Sequence, residues 1–282
     1  MNSVPNSSGT AAPKINAPDK ACDCHMHIYD GGRFPPPRPG ARMQADARVP
    51  DYRRVQARIG TSRTVVVTPA AYFTDNAVTL DAIAQLGASA RGVAVVHPTV
   101  TEAELKRMAD HGICGIRFTQ FDPRTAATSP DMIEPLARRV ELLGWHVQIH
   151  LRGDQIVAMS DLLQRLPGTV VFDHLGRISG TDDPAFAVIR GMLDRGRAWM
   201  KLSGAYMFGG PPDYAAARAI ARAYVQAAPE RTVWGSDWPH PTEAEKPDDA
   251  VLFDLLSDWA PDAATRRLIL VDNPALLYGF PK

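Results

Sequence analysis

Cysteine is scarce in this 282-residue sequence, which has only Cys22, Cys24 and Cys114. An odd, low count in a chain this long excludes a disulfide framework and makes a cytoplasmic location the default expectation. No apolar run approaches the roughly 20 residues needed to cross a bilayer, so no membrane partner is expected. The first twenty residues also lack the apolar core of a signal peptide. Neither sign of charge is in excess, with 31 basic and 31 acidic residues. A general nucleic-acid binder ordinarily carries a basic surplus, so nucleic acid is not expected as a partner. No GxGxxG follows any apolar run, which argues against a dinucleotide-binding sheet.

What is present is alternation. Short apolar runs recur at 21–28, 63–69, 91–98, 113–118, 145–151, 169–176, 199–204 and 231–238. Most are dense in Val and Ile and nearly continuous, as strands buried on both faces of a parallel sheet are. Amphipathic stretches lie between them. Thr101, with Glu104 three residues on, forms a capping box at the start of one. Several end in glycine, a common helix stop. Eight strands, each followed by a crossover helix, predict a single-domain (β/α)8 TIM barrel over 21–282. The alternative is an open doubly wound sheet. Residues 1–20, rich in Ser, Pro, Asn and Ala, read as a mobile arm. Residues 30–50, rich in Pro, Gly and Arg, follow the first strand and read as a substrate-facing lid.

The segment Cys22-Asp23-Cys24-His25-Met26-His27 offers several metal-binding side chains. Strict alternation along a strand puts Asp23, His25 and His27 on one face and Cys22, Cys24 and Met26 on the other. The histidines are then expected in the lumen, with the cysteines packed under helices as small hydrophobes. A His-x-His pair at a strand end can hold a metal ion or a substrate oxygen, or can be a hydrogen-bonded core pair. The pair alone does not choose between them. His150, His174 and Asp237 end the fifth, sixth and eighth runs. A barrel would therefore bring five ionisable groups to one rim, a costly arrangement without a task. His97, before Pro98, is a weaker candidate. His111 and His146 read as structural, and His240 as shaping the loop after the eighth strand.

In order along the chain, His25-Met26-His27, His150, His174 in FDHLGR and Asp237 in WGSDWPHP resemble the amidohydrolase superfamily. Within it the chain is similar to the branch of 2-pyrone-4,6-dicarboxylate lactonase and sugar lactonases. TDNAVTLDAIA (74–84), RGVAVVHP (91–98), GIRF (115–118) and the late VDNPALLYGF extend the likeness from about Cys22 to Tyr278. The resemblance implies a barrel whose site lies at the C-terminal ends of the strands. It implies Asp237 as the catalytic carboxylate that takes a proton from attacking water, and His174 as a catalytic histidine near the scissile carbonyl. It implies Arg117, Arg124 and Arg177 as contacts for substrate carboxylates, with a structural ion pair as the plain alternative for each. His25 and His27 match a pair that holds a divalent metal in many relatives and touches substrate oxygen in metal-free ones.

His150 departs from the tyrosine of the dicarboxylate lactonase pattern. With His25, His27 and Asp237 it makes a set resembling the mononuclear zinc site of related decarboxylases, and imidazole with carboxylate suits Zn²⁺. No strand-four lysine is present to carry a bridging carbamate, so a two-metal site is not expected. The implied function is a lactonase that opens a small carboxylated lactone to a hydroxy acid. A metal-dependent decarboxylase and a sugar-lactone isomerase of the same superfamily are the near rivals. A non-catalytic small-acid binding protein is the rival from another class. The oligomeric state is not legible.

Overall fold

A computed structural model describes residues 3–38, 41, 43–122, 126–211 and 214–281. Each of the eight apolar runs is a strand: β1 (Cys22–Met26), β2 (Arg63–Val67), β3 (Ala90–Ala94), β4 (Ile113–Thr119), β5 (His146–His150), β6 (Val170–Phe172), β7 (Ala198–Leu202) and β8 (Thr232–Trp234). They pair in chain order, and every neighbouring pair is parallel. The sheet closes where the chain beyond β8 meets β1. Asp237 N–H donates to the His25 carbonyl at 2.8 Å, and His27 N–H donates to the Trp238 carbonyl at 2.8 Å. The expected (β/α)8 barrel is what forms.

The crossovers carry helices α1 (Val49–Ile59), α2 (Ala77–Leu86), α3 (Glu102–Asp110), α4 (Ile133–Glu141), α5 (Gly153–Ala158), α6 (Ser160–Arg165), α7 (Pro184–Asp194) and α8 (Ala215–Ala227). Short helices α9 (Asp249–Asp254), α10 (Leu256–Trp259), α11 (Ala263–Arg267) and α12 (Asn273–Tyr278) end the chain. The capping box read at Thr101 opens α3: Glu104 N–H donates to Thr101 Oγ1, and Thr101 N–H donates back to Glu104 Oε2. No helix among the described residues is long and apolar enough to cross a membrane.

The cysteines correct the strand-face reading. Cys22 and Cys24 lie in a buried cluster with Val65, Val67, Val93, Val171, Trp199 and Val233, drawn from six strands around the barrel. Only the lumen gathers such a set. Tyr278 and Phe280 plug its lower end. The cause is a bulge in β1. Cys22 pairs with Arg63 but Met26 pairs with Val66, so β1 spends four steps where β2 spends three. An extra residue resets the alternation. Below the bulge the lumen receives the cysteines; above it, the histidines.

Asp23 therefore points outward, into the seam between β1 and the chain after β8. Its carboxylate accepts from His25 N–H (3.2 Å), Ser236 N–H (2.9 Å), Ser236 Oγ–H (2.6 Å) and the Tyr52 hydroxyl (3.0 Å). Burial pushes its pKa up to about 6, against the pull of these donors. Gly235 completes the seam, since a Cβ there would lie 2.7 Å from His25 Cβ. Asp23→Asn keeps an oxygen for the two backbone N–H groups but sets an amide N–H2 against the Ser236 and Tyr52 hydroxyls, so the Ser236 hydroxyl proton loses its acceptor. We expect it to cost about 2–3 kcal/mol of stability, the penalty of stranding buried hydrogen-bonding groups, read from chemical denaturation. An unchanged midpoint would remove Asp23 as the keystone of the seam.

Residues 3–20, the described part of the segment expected as a mobile arm, carry no helix or strand and lie along the barrel. Val4 is buried. Trp238 Nε1–H donates to the Pro5 carbonyl at 2.9 Å, and Arg58 donates to the carbonyls of Ser8 and Ala11. Composition cannot register these partners, which α1 and the strand-eight loop supply.

Candidate active site

The C-terminal ends of the strands bring together the side chains that the sequence singled out. His25 and His27 come from β1 and its end, His174 from just after β6, and Asp237 from just after β8. All four are buried. His174 and Asp237 hold positive φ, 49° and 62°. That region is costly for residues bearing a Cβ and persists only where the surroundings enforce it, as at functional sites. For Asp237 the enforcing contact is its backbone bond to His25. Beside His174, Gly204 has a φ of 68°, and a Cβ there would approach His174 Nδ1 to 3.1 Å.

Three ligand atoms face one another. His25 Nε2 and His27 Nε2 are 3.3 Å apart, and they lie 3.5 and 3.3 Å from Asp237 Oδ1. Each is braced from behind. His27 Nδ1 faces the Val67 carbonyl at 2.8 Å. The Tyr206 hydroxyl donates to Asp237 Oδ2 at 2.5 Å. His25 Nδ1 lies 3.3 Å from Asp173 Oδ1. Asp237 Oδ1 is buried and has no hydrogen-bond donor among the described residues. Since His27 Nδ1 faces a carbonyl and must donate to it, the neutral ring turns a bare Nε2 toward a carboxylate oxygen. Such a contact, at 3.3 Å, is bridged by a proton or by a cation. A point equidistant from the three ligand atoms lies about 1.9 Å from each, close to the roughly 2.0–2.2 Å of zinc–nitrogen and zinc–oxygen bonds. The donor set thus fits a divalent cation.

His150 does not join this group. Among the described residues the compact ligand sets are His25, His27 and Asp237, or His25, Asp173 and His174. The His150 ring stacks on Phe121, with centroids 5.3 Å apart, and meets the His174 ring at 5.1 Å. Among the described residues, both of its nitrogens are buried without partners. Strand ends fix the height of a residue at the rim, and β5 lies across the barrel from the β1–β8 seam.

Arg117, expected at a substrate carboxylate, donates from Nε to Asp173 Oδ2 at 2.8 Å. Gln148 Nε2 donates to the same oxygen at 3.0 Å, and its Oε1 accepts from Lys201 Nζ at 2.7 Å. Lys201 is fully buried in the lumen. Arg124 lies outside the described residues. Arg177 stands at the mouth, its guanidinium 4.6 Å from the Phe121 ring centroid and 5.8 Å from that of Phe208. Among the described residues it has no carboxylate within ion-pair distance. His174 Nδ1 lies 3.0 Å from Ser203 Oγ.

Burial sets the protonation states. It holds His25 and His150 well below the ordinary imidazole range and His174 at about 4. Burial would raise Asp237, but His174, His27 and His25 around it hold it well below the carboxylate range. Arg117, His25 and Lys201 do the same for Asp173. At neutral pH the site therefore pairs ionised carboxylates with neutral His25, His150 and His174. A neutral imidazole with a free nitrogen and an ionised carboxylate are the forms that bind metal.

Gln148, Asp173, Lys201, Ser203 and Tyr206 are not among the site residues read from the sequence. Lys201 carried a signal, since a lysine inside the apolar run WMKLSG is either paired in a lumen or misplaced. Tyr206 carried none, because it reaches Asp237 from a loop.

The chain belongs to the amidohydrolase family. The family profile described as Amidohydrolase matches residues 22–280. Among its relatives is the 2-pyrone-4,6-dicarboxylate hydrolase of Comamonas testosteroni, 33% identical over 281 residues, covering 94% of this chain and 92% of that one. The 4-sulfomuconolactone hydrolase of Rhizobium radiobacter is 32% identical over 273 residues, covering 93% and 91%. The D-galactarolactone isomerase of Agrobacterium fabrum is 33% identical over 281 residues, covering 96% and 94%.

Proposed function

We propose that this protein hydrolyses a small anionic lactone in a cytoplasmic setting, with one divalent cation, zinc, held by His25, His27 and Asp237. The observation that carries the reading is the triangle of His25 Nε2, His27 Nε2 and the orphaned Asp237 Oδ1. Three protein ligands leave a position free for water or substrate, the arrangement of catalytic rather than structural zinc. A bound cation would polarise the lactone carbonyl and help to carry the oxyanion's charge. The names of two relatives, a dicarboxylate hydrolase and a sulfomuconolactone hydrolase, support a ring ester bearing negative charge.

The chain's own groups supply the rest. Asp237, ionised and oriented by Tyr206, accepts a proton from water as the water oxygen bonds to the carbonyl carbon. The ring C–O bond then breaks, and the ring oxygen takes up a proton to become the hydroxyl of the product acid. His174, neutral and braced by Ser203, stands beside His25 with ring centroids 4.6 Å apart. From there it can steady the carbonyl oxygen. Arg177 waits at the mouth for the substrate's anionic group. The isomerase relative supports a second reading, in which the hydroxyl of an opened or migrating lactone replaces water. Product analysis separates the two.

Incubating the purified protein with acidic and neutral lactones tests the proposal. Ring opening of an acidic lactone is expected, and failure across the acidic panel would overturn it. Metal analysis should return about one zinc or similar ion per chain, with His150→Ala retaining most of it and His27→Ala losing it. Full turnover by chelator-stripped, metal-free protein would remove the cation from the mechanism.

A further inference from the structure

Neutral His27 has only one tautomer open to it: its Nδ1 faces the Val67 carbonyl at 2.8 Å, so in that ring Nδ1 bears the proton and Nε2 is bare. His25 differs, because its Nδ1 meets both a donor and an acceptor: Lys201 Nζ at 3.4 Å and Asp173 Oδ1 at 3.3 Å. The Lys201 ammonium can only donate. When it donates to His25, the ring proton must sit on Nε2, facing bare His27 Nε2 at 3.3 Å. Every nitrogen of both rings is then used. Two buried carboxylate oxygens are not: Asp173 Oδ1 and Asp237 Oδ1 have no hydrogen bond.

The other tautomer exchanges these satisfactions. With its proton on Nδ1, His25 can donate to Asp173 Oδ1. Its Nε2 is then bare and joins His27 Nε2 and Asp237 Oδ1 as a cation site. A cation there satisfies Asp237 Oδ1 as well. Both orphaned oxygens, one on each side of the same ring, are answered by a single change.

Building on the metal reading above, we infer that His25 is a tautomeric switch, held as Nε2–H by Lys201 when empty and as Nδ1–H by Asp173 when a cation is bound. The proton balance is zero, since one proton leaves Nε2 as one arrives at Nδ1 and the cation takes the Nε2 position. Lys201 is a positioning residue that works against loading. Its Nζ is aimed by Gln148 Oε1 at 2.7 Å, and Gln148 is aimed in turn by its donation to Asp173 Oδ2. The four groups Arg117, Gln148, Lys201 and Asp173 therefore set how tightly the triangle holds its ion.

The tautomer can be read without any turnover. In chelator-stripped protein with ¹⁵N-labelled histidine, His25 assigned through His25→Gln should be the Nε2–H form. In Lys201→Met it should become Nδ1–H, because Asp173 is then the remaining partner. Zinc affinity measured against a competing chelator should rise about 10-fold or more in Lys201→Met, where both a hydrogen bond and a positive charge that favoured the empty site are gone. Asp173→Asn should move it the other way, weaker by about 10- to 100-fold, as loss of a histidine's supporting carboxylate does. A stripped wild-type His25 in the Nδ1–H form overturns the inference, as does a Lys201→Met zinc affinity that is unchanged or lower. If Lys201→Met does not fold, the wild-type spectrum and Asp173→Asn decide the matter. A protein that binds zinc and opens no lactone refutes the reaction proposed above and leaves the tautomer result standing.

Discussion

Asp237→Asn is expected to lower turnover at least about 10²-fold, the smaller end of what a positioned general base contributes, while the barrel stays folded. The carboxylate sits at the seam of β1 and the chain after β8, with its backbone fixed by the bond to His25. An amide keeps that backbone bond, and its oxygen can still accept from Tyr206. It cannot take a proton from water. It also replaces the anionic member of the triangle, so bound metal should fall alongside turnover. Circular dichroism and the unfolding midpoint establish that the variant is folded, and steady-state kinetics then reads the chemistry. A folded Asn variant with near wild-type turnover would show that another group is the base. Because Asp237 is held well below the ordinary carboxylate range by the surrounding histidines, it remains the charged acceptor throughout the neutral range.

Arg177→Met should reduce kcat/KM for an acidic lactone by about 10- to 150-fold, the equivalent of one charge-assisted contact of roughly 1.5–3 kcal/mol. A neutral lactone should lose far less. Arg177, not Arg117, is the side chain free to meet an anionic substrate, because Arg117 is already committed to Asp173. Arg177 is held between Phe121 and Phe208 with no carboxylate partner among the described residues. A guanidinium fork matches a carboxylate in a way a methionine cannot. Arg117→Met, by contrast, should damage both substrates alike, since it unbalances the buried Asp173. Equal losses in Arg177→Met would make Arg177 a structural arginine. A wild-type preference for neutral lactones would reject the anionic substrate and leave lactone hydrolysis in place.

Read from the sequence alone, the barrel was legible because its cause is local and repeated. A Val-rich run buried on both faces, followed by an amphipathic helix, says parallel strand and crossover wherever it occurs. The rim position of His25, His27, His174 and Asp237 followed from the same rule, since each stands at the end of such a run. His150 obeyed the rule and still missed the triangle. A strand end gives height around the barrel, whereas a ligand set also needs the side chains to converge on one side of it.

The sequence by itself determined the strand order, the family and the place of Asp237 and the His-x-His pair at the rim. Tertiary structure alone decided which faces the β1 side chains took. Alternation predicted Asp23 in the lumen with the histidines and the cysteines outside. The bulge in β1 reversed that below His25. The bulge is held by partners far along the chain, Ser236 donating twice to Asp23 and Gly235 admitting the backbone of His25. The same distance hid Lys201, Gln148 and Asp173, which contact one another across 25 to 53 residues of chain. Periodicity is a property of a few neighbouring residues, while registry at a seam and pairing across a lumen are set by the closure of the barrel.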